Sequence, residues 1–136
     1  MLSPSLDTVR LFLHVLAASV WVGGQIVLAG LVPSLRAAFP GSTKVAARAF
    51  NRVAWPAFAV LVVTGVWNIF EVEMTSLDTE YQVTAMVHIL LAVVTGVSAA
   101  IHSMGQSKLA LALGGAIGGL SALGALFVGV LLGAAN

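Results

Sequence analysis

Three histidines carry most of the chemistry open to this chain: His14, His88 and His102. With no cysteine there is no thiolate ligand and no disulfide, so imidazole nitrogen is the strongest metal donor present. Neutral imidazole is a good ligand for haem iron, copper and zinc. His14, Trp21 and Gln25 fall at i, i+7 and i+11, one stripe of a helix at ~100° per residue, flanked by Ala18 and Gly24. Tyr81, Thr84, His88, Thr95 and His102 step by 3, 4, 7 and 7 and form a second stripe. Both stripes run through apolar sequence, where an imidazole without a partner is costly, so both must face protein. Ser-His-Asp sets, glycine-rich phosphate loops, paired carboxylates within apolar segments and basic stripes are all missing from the sequence.

The elements that position these residues follow from composition. The chain is 60% hydrophobic and only 8% charged, with a mean hydropathy of +1.06, against about 25% charged residues in an ordinary soluble domain. That is too little polar surface to cover a water-facing globule, and the class is integral membrane protein. No basic cluster points to nucleic acid. The opening MLSPSLDTVR lacks a basic stretch and no cleavage pattern follows, so the first apolar run reads as a retained span.

Four spans are expected. The first covers residues 9–32 and is closed by Pro33, and its uncharged part, 11–32, suffices to cross a core of ~30 Å at ~1.5 Å per residue. A basic connector follows, whose second half, from a cap at Ser42 or Thr43, reads as a short amphipathic lead-in helix. The second span covers 53–70, with Pro56 tolerated in its first turn. After an acidic loop come a third span from Tyr81 or Gln82 to 103 and a fourth over 109–134. The expected fold is one domain, 1–136, an all-α antiparallel four-helix transmembrane bundle.

Charge sets the expected orientation. Arg36, Lys44, Arg48, Arg52 and Lys108 lie in the loops after spans one and three, whereas all the acids, Asp7, Glu71, Glu73, Asp78 and Glu80, lie at the N-terminus or after span two. By the positive-inside rule both termini are extracytoplasmic, in a multi-pass protein of a prokaryotic cell membrane. His14 is then ~8 Å deep from the outer side and His88 ~10 Å, nearly one level, while His102 is ~21 Å beyond His88, near the cytoplasmic edge.

Two imidazoles at one depth can clamp haem iron axially or supply two ligands to another metal. In the alternative reading each histidine bonds a neighbouring hydroxyl or carbonyl and only fixes packing. Asn68 and Glu71 end the second span at a similar depth, and with Gln25, Thr84 and Thr95 they form the expected polar stripe. Trp21 is expected to pack on a partner helix or a flat cofactor, and Trp55 and Trp67 to sit in the interfacial belt. Met86 is a candidate soft ligand, and His102 an inner exit or relay position. Gly23, Gly24, Gly65, Gly115 and Gly119 read as close helix contacts, and the glycine-rich fourth span as a packing face within the bundle or across a homodimer.

The segment LHVLAASVWVGG resembles the opening helix of CopD-type copper-resistance membrane domains, and RAFNRVAWPAFAVLVVTGVWN is similar to their second helix. The matching positions are His14, Trp21, Gly23, Gly24, Arg52, Thr64 and Gly65. The first-helix pattern also resembles HemJ-type protoporphyrinogen oxidases, whose first-helix His is implicated in haem binding. Both families tend to carry a Lys in the outer part of the third span, where this chain has His88. The resemblance implies copper uptake or homeostasis through His14 and His88, with passage inward past Gln25 and His102 and an extracytoplasmic copper partner. The alternative is a b-type haem held by the same two histidines, with a redox partner. The third reading is a structural membrane subunit.

Overall fold

The computed structural model describes residues 3–135, the side chain of Thr75 excepted. It is all-α, with no strand among the described residues. Four helices are long and apolar enough to cross a membrane: α1 (Leu6–Ala38), α2 (Ser42–Glu71), α3 (Thr79–Met104) and α4 (Lys108–Ala134). Large apolar side chains lie exposed along all four, from Leu6 and Phe12 to Phe70, Leu90 and Leu120, as a lipid-facing surface requires. By helix length and composition this is a multi-pass membrane protein. The chain divides into two compact units, Met1–Val72 and Glu73–Asn136.

In the first unit α1 packs against α2. A reciprocal Ser5–Thr8 capping box starts α1, and Asp7 complements the first turn. The helix does not stop at Pro33. It runs on to Ala38, because the one helix bond that Pro33 forfeits is a tolerable loss once the rest of the ladder is made. Residues Ser19–Gly23 form a π-helical turn around Trp21. Trp21 is only 3% exposed, with its ring 4.5 Å from Phe58 and 5.7 Å from Trp55. Trp55 thus belongs to an aromatic cluster with α1. A Cβ on Gly24 would collide with the Phe50 ring, so there the absence of a side chain sets the helix approach.

The expected lead-in helix and second span are one continuous 30-residue helix, with Pro56 well inside it. Ser42 does not cap α2. Its hydroxyl donates to the carbonyls of Leu35 and Phe39 at 3.0 and 2.7 Å, closing the end of α1 instead. The turn itself is made by Gly41, whose φ of +85° suits a residue without Cβ.

The second unit is the hairpin of α3 and α4, started by side-chain caps from Asp78 and Ser107. One seam joins the helices. His88 Nδ1 meets the Ala125 carbonyl at 2.9 Å, Thr95 Oγ1 the Gly118 carbonyl at 2.8 Å, and His102 Nδ1 the Leu111 carbonyl at 2.6 Å. Donors and acceptors each repeat every seven residues, in opposite directions, as an antiparallel pair demands. Each acceptor carbonyl already serves its own helix, and the residue four positions on is small in each case: Gly129, Ala122 and Gly115. Such residues let a side chain from the facing helix reach the backbone.

Among the glycines of α4, Gly114 lies closest to the facing helix. A Cβ there would sit 2.9 Å from both the Ser98 carbonyl oxygen and the His102 backbone nitrogen, whereas one at Gly119 would meet nothing within 4 Å. The close contact expected at Gly119, and likewise at Gly23, does not arise within the described chain. Gly114→Ala is therefore expected to cost about 1–3 kcal/mol by overpacking. Gly119→Ala should be neutral or gain up to about 1 kcal/mol of helix propensity. Unfolding of the detergent-solubilised protein, followed by circular dichroism, checks both signs.

Candidate functional site

His14 and Thr64 are the centre of the first unit's polar chemistry. Thr64 is 3% exposed, and its hydroxyl donates back to the carbonyl of Val60 at 2.7 Å, with Leu61 at 3.2 Å. A hydroxyl has one proton, and here it is spent on its own helix. The 2.8 Å contact between Thr64 Oγ1 and His14 Nδ1 therefore has the imidazole donating. In the neutral ring this is the Nδ1–H tautomer, with the lone pair on Nε2. Gly65 leaves room for the ring, since a Cβ there would lie 3.6 Å from His14 Cε1.

The same deduction holds more directly in the second unit. A carbonyl oxygen can only accept, so His88 Nδ1–H donates to Ala125 and His102 Nδ1–H to Leu111. In the neutral form of each ring the lone pair is then on Nε2. Both also lie over a glycine, with a Cβ at Gly129 3.1 Å from His88 Cε1 and one at Gly115 3.1 Å from His102 Nδ1. Gly115 thus makes space for an imidazole and not for a neighbouring backbone. All three histidines have Nδ1 committed to the helix they pack on. His14 is described in the first unit, and His88 and His102 in the second.

One turn toward the N-terminus of α1 from His14 lies Arg10, for which the sequence suggests no site role. Its four-residue spacing from His14 was the available signal, since that spacing stacks two side chains on one helix face. Arg10 is 7% exposed. Its Nη2 pairs with Asp7 Oδ1 at 3.1 Å, and its Nη1 is 3.9 Å from Glu71 Oε2. Trp67 donates from Nε1 to Glu71 Oε1 at 3.0 Å, and the guanidinium carbon lies 6.0 Å from the Trp67 ring centre. Trp67 and Glu71 are therefore partners of Arg10 as well as residues of a helix end. Arg10 Nε and Nη1 and Asn68 Oδ1 are buried without a hydrogen-bond partner.

The remaining polar residues bond locally. Gln25 Nε2 donates to the Trp21 carbonyl in the π-helical turn at 3.0 Å, and Thr84 Oγ1 to Glu80 at 2.7 Å. Thr95 is buried in the α3–α4 seam. Met86 is 62% exposed, two residues from His88 and so about 200° around the helix from it, which takes it off the His88 face. Among the described residues no three of His, Asp or Glu group at metal-binding spacing.

Thr64→Val keeps the volume but strands the His14 Nδ1–H, a loss expected to cost about 1–3 kcal/mol. Thr64→Ser should retain most of the stability, since it restores both bonds. Thermal melts of the three proteins in one detergent give the comparison. Searches of protein-family models, curated proteins and solved structures each returned no match for this chain.

Proposed function

We propose that this chain is a membrane metal-binding protein whose His14 and His88 ligate through Nε2, with copper uptake or homeostasis as its role. The observation that carries this reading is the pair of Nδ1–H bonds, from His14 to Thr64 and from His88 to Ala125. A ligating imidazole almost always donates its other ring N–H to a fixed acceptor, which sets the tautomer, orients the ring and raises its basicity. A purely structural histidine makes the same bond. Two such histidines, each seated over a glycine on the facing helix, support the ligand role more than a packing role alone. The copper assignment comes from the CopD-type motifs around His14 and Thr64-Gly65. Imidazole is a suitable donor for both copper oxidation states, and His102, with the same tautomer, is the proposed inner station.

The second reading is a b-type haem protein in electron transfer or haem-linked redox chemistry. A porphyrin brings four nitrogens of its own and needs only axial imidazoles from the protein, which suits a chain whose described His, Asp and Glu residues form no group of three. In that case the group supplies one-electron chemistry, and the chain's part is to hold the iron through His14 and His88 and exclude water. The extracytoplasmic placement of both termini, the cell-membrane location and a homodimer through the glycine-rich fourth span belong to the same proposal.

The two readings separate in one preparation. Copper binding predicts a colourless protein with stoichiometric copper by elemental analysis after Cu(I) loading. Haem binding predicts a Soret band in the protein as purified. His14→Ala and His88→Ala are each expected to lower the bound species at least tenfold, and His102→Ala to leave it within about twofold, since metal ligands contribute far more than remote stations. Retention of full metal and full colour in both variants would leave only the structural-subunit reading.

A further inference from the structure

An arginine guanidinium stays charged under all conditions and carries five N–H donors. Buried at the end of a membrane helix it is expensive unless every donor is met. In Arg10, Nη2 is ion-paired with Asp7 at 3.1 Å, while Nε and Nη1 are buried without a hydrogen-bond partner, Nη1 lying 3.9 Å from Glu71 Oε2. The carboxylates beside it are solvated: the side chains of Asp7 and Glu71 are 65% and 52% exposed, against 9% for Arg10. Its unused N–H groups are thus on the buried side. Asn68, one turn along α2 from Thr64, keeps a buried amide oxygen in the same condition, and an amide can present its N–H₂ in place of its oxygen.

Guanidinium donors in a dry setting match an oxyanion, above all a carboxylate. The position of that oxyanion is constrained. Arg10 precedes His14 by four residues, on the same face and ~6 Å along the axis. We infer that Arg10, with Asn68, is a carboxylate subsite one turn from His14, and that the centre ligated by His14 is a metal carried by an acidic macrocycle. A bare copper ion brings no carboxylate. Iron protoporphyrin brings two propionates on flexible arms, which reach outward from the metal over such a distance. This rests on His14 as a metal ligand and identifies the haem alternative as its occupant. Glu71 is the competitor for Nη1, so an arriving propionate displaces a carboxylate that Trp67 already holds by its other oxygen.

The test uses the full chain, free of haem, in mild detergent, titrated separately with iron(III) protoporphyrin IX and with its dimethyl ester, which lacks free carboxylates. Soret absorbance reports affinity. The unaltered chain is expected to bind the diacid about 10- to 100-fold more tightly than the ester, as a charge-assisted hydrogen-bonded pair should. Arg10→Gln is expected to erase that preference while the ester binds as before. Glu71→Gln is expected to raise diacid affinity several-fold by removing the competitor. Equal affinity for the two porphyrins in the unaltered chain overturns the subsite, with ordered water then meeting the Arg10 donors, and this comparison needs no variant to fold. A preference that survives Arg10→Gln overturns it as well. If neither porphyrin binds while Cu(I) binds and is lost in His14→Ala, the macrocycle is refuted and the ligand role of His14 stands. If His14→Ala binds porphyrin and Cu(I) like the unaltered chain, the ligand role itself fails.

Discussion

Every hydrogen-bonding group carried into an apolar phase must find its partner within the protein, and this single requirement organises the molecule. The backbone meets it by being helical almost throughout. Side chains meet it in two ways. Ser19, Thr64, Thr84 and Ser121 turn back onto carbonyls of their own helix. His88, Thr95 and His102 cross to carbonyls of the facing helix. The crossing bonds need backbone that can be approached, and the small residues of α4 provide it.

The histidine chemistry is a by-product of the same rule. Each ring donates its Nδ1–H to its partner, and in the neutral ring the lone pair is then on Nε2. The bond that joins the helix pair is therefore also the bond that selects the tautomer of the neutral ring. Arg10 and Asn68 are the exceptions among the described residues: Arg10 Nε and Nη1 and Asn68 Oδ1 are buried without a hydrogen-bond partner.

Much of the fold was legible in the sequence, because four apolar runs separated by charged connectors admit few interpretations. The boundaries were less so. Pro33 and Pro56 read as helix-ending or first-turn residues under rules drawn from water, where a broken helix bond can be replaced by solvent. In a long apolar helix stopping would expose far more backbone than continuing, so both prolines are carried inside. The polar stripe of α3 was legible from its heptad steps, but not its targets, since backbone carbonyls have no signature in sequence. Trp21 was expected against a helix or a cofactor, and Phe58 and Trp55 of α2 are what it meets. The burial of Arg10 was not legible, because its spacing to His14 shows only that the two share a helix face and not what covers them.

The seam of α3 and α4 has a consequence for how the hairpin finds its alignment. A heptad repeat of donors facing a heptad repeat of acceptors would by itself permit slippage by one repeat. Ring size removes the ambiguity. The two imidazoles lie against Gly129 and Gly115, and the slim Thr95 is paired with the level of Ala122. Shifted by seven residues, the His88 ring would land on the methyl group of Ala122. The large–small–large order on one helix and glycine–alanine–glycine on the other thus act as key and ward, encoding a unique register in side-chain bulk alone.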